Sequence, residues 1–448
     1  MHSNLLKNEK ISSIIGILIV YYILMDSSFP FGDNGAMQTF FYWTKFGIAL
    51  LTILYSFFLL KKGKMENNLK IVYREISPIL LGPWVLMLAY SCIVWVIQKT
   101  SMPYITRGIS NFISNELAVV LGMALFVIYK KKTVRLCIIA ICLMTITNYV
   151  MGIVVNGPYF MVELLNVNCE ETTYRIYKEL HEMAYISGLF LIYYLYRKDD
   201  KLNKIWIIIV GACFVLSWKR IGIAALVISI LFYAILRRLN ETVKKRMIVI
   251  CGIAAALLTI IYVYMSASDE LTLILKEYGI NMMGRDVLYS YFRRFCDFSI
   301  GFMGHGIGFV SRQFNYLTYE DVGEMVALKQ GLHNDFFSLY LEIGMIGFVL
   351  WTIFQLIYVP NKIEKKFGIE RATQCFIYII FTFVTYTTDN TLRYFVYQMI
   401  FTILMLATNY EKQDEYIRPA GENRKKQYIR GTIGRIKKIC RNKAFSQK

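Results

Sequence analysis

Several side chains that could bind an anion or move a proton fall in the second half of the chain. Lys219 and Arg220 lie between two short apolar runs, and His333 comes just before a longer one. Arginine stays charged at neutral pH, and its planar guanidinium group can pair with two phosphate oxygens at once. Imidazole can take a proton from a hydroxyl group near neutral pH. If these residues meet in the fold, they predict a site for phosphate binding and acid–base chemistry.

The elements that must position these residues are apolar runs long enough to cross a membrane. The sequence has 448 residues and 56% of them are apolar, and about 20 apolar residues suffice to cross a bilayer as a helix. The chain is therefore expected to be an all-α integral membrane protein with about 12 transmembrane helices. The predicted runs are 11–25, 38–60, 76–97, 113–129, 136–155, 183–196, 205–218, 221–236, 247–266, 334–358, 374–388 and 392–408.

The basic residues predict how these helices are oriented. The net charge is +19, but most Lys and Arg residues lie in alternate connections between the apolar runs and do not form one basic face. No nucleic-acid partner is expected for such a distribution. Cytoplasmic connections of membrane proteins are enriched in Lys and Arg. The pattern predicts a multi-pass protein with both termini in the cytoplasm, N-in and C-in.

One connection, residues 267–332, is far longer than the others and is extracytoplasmic in the predicted orientation. It separates the first nine predicted helices (1–266) from the last three (333–408), and a basic cytoplasmic tail (409–448) follows. Functional residues are often found on loops held by a rigid scaffold. This large loop is therefore the predicted functional element.

Within the loop, residues 285–298 have the spacing of a short amphipathic helix. Arg285 begins it, and Arg293 projects from its polar face. Such a helix could lie along the membrane surface or pack onto the helix bundle, since either arrangement buries the same face. The apolar face consists of Val287, Leu288, Tyr291, Phe292, Phe295 and Phe298.

Lys and Arg residues on the extracytoplasmic side are exceptions to the enrichment of basic residues in cytoplasmic connections, which suggests that they have a function there. In the predicted orientation Lys219, Arg220, Arg285 and Arg293 all lie on that side. The anion available at the outer surface is a lipid phosphate or pyrophosphate, so these four residues are predicted to bind pyrophosphate. The alternatives are long side chains that extend to the lipid headgroups, and scattered surface charge.

Two more residues are candidate substrate contacts. His305 lies in the glycine-rich segment 304–308, whose glycines are more simply explained as a tight structural turn. Glu342 lies inside an apolar run, where a carboxylate requires a buried partner. The sequence alone leaves both the structural and the functional roles open.

The order of these motifs resembles that of the O-antigen ligase and O-antigen or capsule polysaccharide polymerase superfamily. The resemblance is carried by Arg220 at a helix turn, Gly284-Arg285 at the start of the loop helix, GHGIG at 304–308 and LHNDFFSLYLEIGMIGF at 332–348. These membrane enzymes elongate or transfer glycans held on undecaprenyl pyrophosphate. The resemblance implies that Arg220 and Arg285 bind the donor pyrophosphate and that His333 acts near the acceptor hydroxyl. Lys219 departs from the pattern, because many relatives have serine there.

The resemblance implies an enzyme of the bacterial cytoplasmic (inner) membrane with an outward-facing active site. We expect a metal-independent glycosyltransferase without a cofactor, in which His333 and Arg285 are catalytic. Its expected partners are an undecaprenyl-pyrophosphate-linked oligosaccharide and the lipid bilayer, with a chain-length regulator and a flippase as further candidates. A polymerase is the leading hypothesis, and an O-antigen ligase differs only in its acceptor. A transporter or flippase is the third alternative, although the polar residues gather near one surface and not at the midplane.

Overall fold

A computed structural model describes residues 2–28, 35–62, 66–163, 180–197, 201–217, 219–279, 282, 284–318 and 331–410. Throughout these ranges the regular structure is helical, with no β-strand. The predicted basic tail lies outside the described residues from residue 411 onward.

The helices are numbered here in chain order. They are α1 (His2–Ser28), α2 (Gly35–Lys62), α3 (Asn67–Ile97), α4 (Met102–Tyr129), α5 (Lys132–Asn156), α6 (Phe160–Glu163), α7 (His181–Leu195), α8 (Lys201–Leu216), α9 (Arg220–Arg238), α10 (Glu241–Ser268), α11 (Glu270–Glu277), α12 (Arg285–Arg293), α13 (Phe309–Gln313), α14 (Asp335–Ile353), α15 (Val359–Phe367), α16 (Ile369–Tyr386) and α17 (Phe395–Tyr410). A π-helical turn (Phe354–Tyr358) joins α14 to α15, and 3₁₀ turns occur at Phe314–Tyr316 and Thr391–Arg393.

Each predicted apolar run overlaps a helix, and the run 334–358 covers both α14 and the π-helical turn that follows it. Within the described ranges, seven helices are long and apolar enough to cross a membrane, and α7, α8 and α17 contain shorter apolar segments. The expectation of an all-α multi-pass membrane protein is confirmed at this level. The count of twelve spans and the orientation of the helices stay predictions.

Helix α17 lies at the centre of the bundle. It packs against α3, α4, α5 and α7, and nearly all of its residues are buried. Because neighbouring helices shield it from lipid, it can carry polar side chains that find partners inside the protein. For example, the hydroxyls of Tyr397 in α17 and Thr382 in α16 lie 2.6 Å apart.

The predicted cytoplasmic connections meet at one end of the bundle. Lys130 pairs with Glu66, whose carboxylate also accepts a hydrogen bond of 2.5 Å from the Tyr410 hydroxyl. Lys132 pairs with Glu9 at the start of the chain. The large loop lies at the opposite end, which is called the loop end below.

Helix α14 is broken at Gly344, whose φ of +66° is left-handed. A Cβ at this position would lie 2.3 Å from the carbonyl oxygen of Phe302, so only glycine allows the loop to come this close. The break would leave backbone groups unpaired inside the protein, where each costs free energy. Three backbone hydrogen bonds between α14 and the loop satisfy them: Met345 N–H to Phe302 O (2.9 Å), His305 N–H to Leu341 O (3.0 Å) and Gly306 N–H to Glu342 O (2.8 Å).

The amphipathic loop helix exists as α12, but it ends at Arg293 and does not continue to Phe298. Its buried face packs against other parts of the protein, as in the ring contacts of Tyr289 with Phe337 at 5.9 Å and of Phe292 with Phe314 at 5.2 Å. The structure therefore favours the alternative in which this helix packs onto the bundle. Three of the six predicted apolar positions, Leu288, Tyr291 and Phe292, are fully buried, whereas Val287 is exposed.

Candidate active site

A buried carboxylate, Asp389, lies at the loop end between α16 and the 3₁₀ turn that precedes α17. Its side chain has no exposed surface, and the Nζ atom of Lys219 lies 3.3 Å from its Oδ2 atom. The hydroxyl of Tyr185 donates to Oδ2 at 2.5 Å, and the hydroxyl of Tyr394 donates to Oδ1 at 2.6 Å. A buried charge is stable only with such partners. Asp389 therefore joins α7, the residue before α9 and the start of α17 at one point.

His333 meets the same carboxylate. Its Nδ1 atom is 3.7 Å from Asp389 Oδ1 and 3.4 Å from Asn390 Nδ2. The His333 backbone N–H also donates to Asn390 Oδ1 at 3.0 Å. The side chain is 21% exposed. Because Nδ1 is directed toward these two residues, Nε2 is the nitrogen left to face a substrate.

Arg285, the first residue of α12, lies beside this cluster. Its charge acts on the hydroxyls of Tyr185 and Tyr289, and Tyr185 is a direct partner of Asp389. Burial raises the pKa of Tyr289, and the positive charge of Arg285 opposes that shift. Among the described residues the guanidinium group of Arg285 forms no hydrogen bond or ion pair. It is a half-buried cation for which the described ranges provide no anionic partner.

Arg220 is the first residue of α9 and follows Lys219 directly. Its side chain is exposed and forms no hydrogen bond or ion pair within the described part of the chain. The structure thus brings Lys219 and His333 together on Asp389 and places the charge of Arg285 near them. It places Arg220 next to them in sequence only.

Arg293 binds groups of its own chain. Its Nε atom donates to the carbonyl of Ser266 at 3.0 Å, and a terminal nitrogen donates to the Thr272 hydroxyl at 3.0 Å. The other terminal nitrogen pairs with Asp269. These contacts tie α12 to the end of α10 and to α11. In this arrangement Arg293 positions the loop helix, and its donors are already in use.

Glu342 has the buried partner that its place in an apolar run requires. Its Oε1 atom lies 2.7 Å from a terminal nitrogen of Arg393 and accepts the backbone N–H of Gly308 at 3.0 Å and of Val310 at 3.4 Å. The same nitrogen of Arg393 donates to the Ser338 hydroxyl at 2.7 Å. Glu342 therefore joins α14, the loop and the start of α17 from inside the protein.

His305 is enclosed by aromatic residues of the loop. Its ring stacks on Phe309 with centroids 4.1 Å apart, and its Nε2 atom is 2.7 Å from the carbonyl oxygen of Phe295. Burial lowers the pKa of His305, and the hydrogen bond to Phe295 partly opposes this effect. Its glycine neighbours have positive φ, and a Cβ at Gly306 would lie 2.1 Å from Trp95. These contacts agree with a structural role for the glycine-rich segment.

Sequence reasoning missed the residue that organises the cluster. Asp389 stands in the short polar stretch Thr387-Thr388-Asp389-Asn390 between two apolar runs. An acidic residue in that position is unusual, and the rule that ionisable residues near membrane helices have functional partners could have found it. The site prediction rested on cations on the predicted outer side, and Asp389 carries the opposite charge.

No family model matches the chain, and comparison with curated proteins and with solved structures found no match. Among the described residues, no three His, Cys, Asp or Glu side chains come together as a metal site would require.

Proposed function

We propose that the chain is a membrane glycosyltransferase that polymerises O-antigen or capsule repeat units. It would transfer a growing glycan from undecaprenyl pyrophosphate to a lipid-linked acceptor sugar. One observation carries the proposal: His333 and Lys219 both contact the buried carboxylate of Asp389. Arg285, which has no ion pair among the described residues, lies near them. A proton acceptor next to an unpaired cation suits a reaction in which a hydroxyl attacks and a phosphate leaves.

In the proposed reaction, the acceptor hydroxyl oxygen attacks the anomeric carbon of the donor glycan. Its proton passes to Nε2 of His333, and the bond from the anomeric carbon to the pyrophosphate oxygen breaks. The electron pair stays on the pyrophosphate, whose added negative charge Arg285 stabilises in place. Asp389 Oδ1 lies 3.7 Å from Nδ1 of His333 and favours a proton on that nitrogen, which leaves Nε2 free to accept the proton of the hydroxyl. The hydrogen bond from the His333 backbone N–H to Asn390 Oδ1 holds the residue in place.

The cations do not contribute equally to this proposal. Lys219 is partly neutralised by Asp389 at 3.3 Å, so its first role is to hold that carboxylate and the cluster around it. Arg285 and Arg220 carry charges that no described anion neutralises. They are the proposed ligands of the donor pyrophosphate, because an arginine without a protein partner can pair bidentately with phosphate.

The test is deletion of the gene and complementation with variants, scored as glycan chain length on gels. Loss of a polymerase leaves single repeat units attached to the final acceptor, whereas loss of a ligase leaves long chains on the carrier lipid. Loss of a transporter leaves the repeat units on the cytoplasmic side. Each outcome selects one of the three classes.

The site is tested with His333→Ala, Arg285→Ala and Asp389→Asn in the same assay. Removal of one preorganised catalytic group typically lowers a rate by about 100-fold or more. Lys276→Ala is the control, because Lys276 is a surface cation of the same loop, paired with Asp286 at 3.1 Å. Full chain length from folded His333→Ala and Arg285→Ala proteins would remove these residues from the site.

A further inference from the structure

A second group of cations at the loop end is separate from the Asp389 cluster. It lies where α4 and α13 meet, and Gly108 makes the contact possible. A Cβ at Gly108 would lie 2.4 Å from the carbonyl oxygen of Ile307. Since Gly108 has no side chain, α13 can lie directly against α4, and the ring of Tyr104 stacks on that of Phe309 at 5.7 Å.

This packing brings Arg107 of α4 beside Ser311 and Arg312 of α13. The Nε atom of Arg107 donates to the Ser311 hydroxyl at 3.3 Å, and the Asn111 amide donates to the same oxygen at 2.8 Å. The charges of Arg312 and Arg393 both act on Arg107. Three guanidinium groups are thus held near one another by the fold.

In the described part of the chain only one of the three forms an ion pair. Arg393 is paired with Glu342 at 2.7 Å, whereas Arg107 and Arg312 form no ion pair within the described residues. One terminal nitrogen of Arg312 donates to the Tyr316 hydroxyl at 3.0 Å, and its Nε atom is buried without a hydrogen-bond partner. Two like charges with unused donors therefore lie within electrostatic reach of each other, an arrangement that a bound anion would relieve.

The surroundings indicate an anion carried by a lipid. Tyr42 of α2 is within electrostatic reach of Arg107, and Phe40 and Trp43, which are close to Tyr42 in the sequence, are exposed. Exposed aromatic residues are typical of the boundary between lipid tails and headgroups. Ile109, also exposed, continues an apolar surface along α4. A lipid that lies on these side chains would place its phosphate at the level of Arg107.

We propose that Arg107 and Arg312 form a second phosphate-binding site, which holds the phosphate of the acceptor lipid while the Asp389 cluster holds the donor. This inference rests on the proposed function, since a polymerase acts on two lipid-linked substrates at once. The charge of Arg393 acts on Arg107 of the second site and on Asp335, and the charge of Asp389 also acts on Asp335, so the Arg393–Glu342 pair is within electrostatic reach of both sites. Separate cation groups allow the two substrates to be held independently.

The binding test uses the full chain in detergent and labelled inorganic pyrophosphate in equilibrium dialysis. The wild type is expected to show two classes of site. Replacing both arginines (Arg107→Gln with Arg312→Gln) should weaken one class by about 10- to 100-fold, as expected for lost charge-assisted hydrogen bonds, and Arg285→Gln should weaken the other. Arg294→Gln is the control, since it removes an exposed loop cation elsewhere. Wild-type binding by the double variant would overturn the proposal.

The source of the phosphate is tested in lipid nanodiscs. The affinity of the Arg107–Arg312 site for pyrophosphate should be the same in phosphatidylcholine discs and in discs with added phosphatidylglycerol. If phosphatidylglycerol abolishes it, a phospholipid headgroup occupies the site and the acceptor assignment is overturned.

In transfer assays the double variant should raise the KM for the acceptor by about 10-fold or more with little change in the KM for the donor. The reverse pattern would overturn the assignment. A protein that binds two pyrophosphates but transfers no glycan would refute the proposed function and leave the second phosphate site standing.

Discussion

Replacement of Glu342 by glutamine distinguishes a structural carboxylate from one that contacts substrate. The substitution keeps the side-chain shape and one acceptor oxygen but removes the charge that pairs with Arg393 at 2.7 Å. Breaking a buried ion pair typically costs about 3–5 kcal/mol, because the remaining charge is stranded. The Arg393 side chain is 25% exposed, so water can partly solvate it. We therefore expect Glu342→Gln to lower the free energy of unfolding by about 3 kcal/mol, the lower end of that range.

The measurement is reversible unfolding of the purified protein in detergent, combined with a double-mutant cycle. In the double variant, Glu342→Gln with Arg393→Gln, no charge is stranded. The decrease in the free energy of unfolding of the double variant should therefore be smaller than the sum of the decreases of the two single variants, by about 2–3 kcal/mol. Glu364→Gln is the matched control, because Glu364 pairs at 2.9 Å with Lys245, whose side chain is half exposed. Loss of such a surface pair should cost no more than about 1 kcal/mol.

The two roles of Glu342 predict opposite patterns. If Glu342 joins α14 to the loop and α17, the glutamine variant loses stability and keeps its transfer rate at temperatures where it stays folded. If the variant unfolds like the wild type and loses transfer activity, Glu342 contacts substrate, and the structural reasoning is refuted.

Three further outcomes are expected. In thermal unfolding, Gly344→Ala should destabilise the protein by about 3 kcal/mol or more, because φ is +66° and the new Cβ would lie 2.3 Å from the backbone of the loop. Gly47→Ala in α2 is the control, because no atom lies within 4 Å of the new Cβ. It should be neutral or stabilising by up to about 1 kcal/mol. Burial holds the pKa of His305 below its ordinary value, so the unfolded chain binds the proton more readily and the free energy of unfolding should fall as the pH drops below about 6.5. Unfolding measured at several pH values should depend less on pH for His305→Gln than for the wild type. An unchanged pH dependence would contradict the burial of His305. The Sγ atoms of Cys142 and Cys213 lie 3.6 Å apart, so a membrane-permeant thiol oxidant should link α5 to α8, as detected by mass spectrometry; an unlinked pair would argue against this helix packing.

The helices could be predicted from sequence because apolar runs carry their own signal. Burying backbone groups in lipid requires helical hydrogen bonding, so a run such as 136–155 has few alternatives. The start of the loop helix at Arg285 was also predictable from its periodicity. Its end was not, because Phe295 packs on Tyr291 and Phe309 after the chain has left the helix.

Side-chain partners across the fold were less predictable. Periodicity shows which face of a helix a residue occupies but not which element covers that face. Arg293 and Arg285 look alike in sequence, yet Arg293 donates to the carbonyl of Ser266, whereas Arg285 has no hydrogen bond or ion pair with any residue that the structure describes. The break in α14 depends equally on a loop segment some 40 residues earlier in the chain. Such contacts between distant segments decide which cations remain available to a ligand.

The backbone of His333 limits what any replacement at that position can report. Its φ is +50°, a left-handed conformation that costs an ordinary side chain about 1–2 kcal/mol and that asparagine tolerates better. Alanine at this position therefore removes the ring and adds backbone strain at the same time, whereas His333→Asn removes the ring with less strain. A defect shared by both variants belongs to the imidazole. A defect seen with alanine alone results from strain in the backbone at residue 333, whose N–H donates to Asn390.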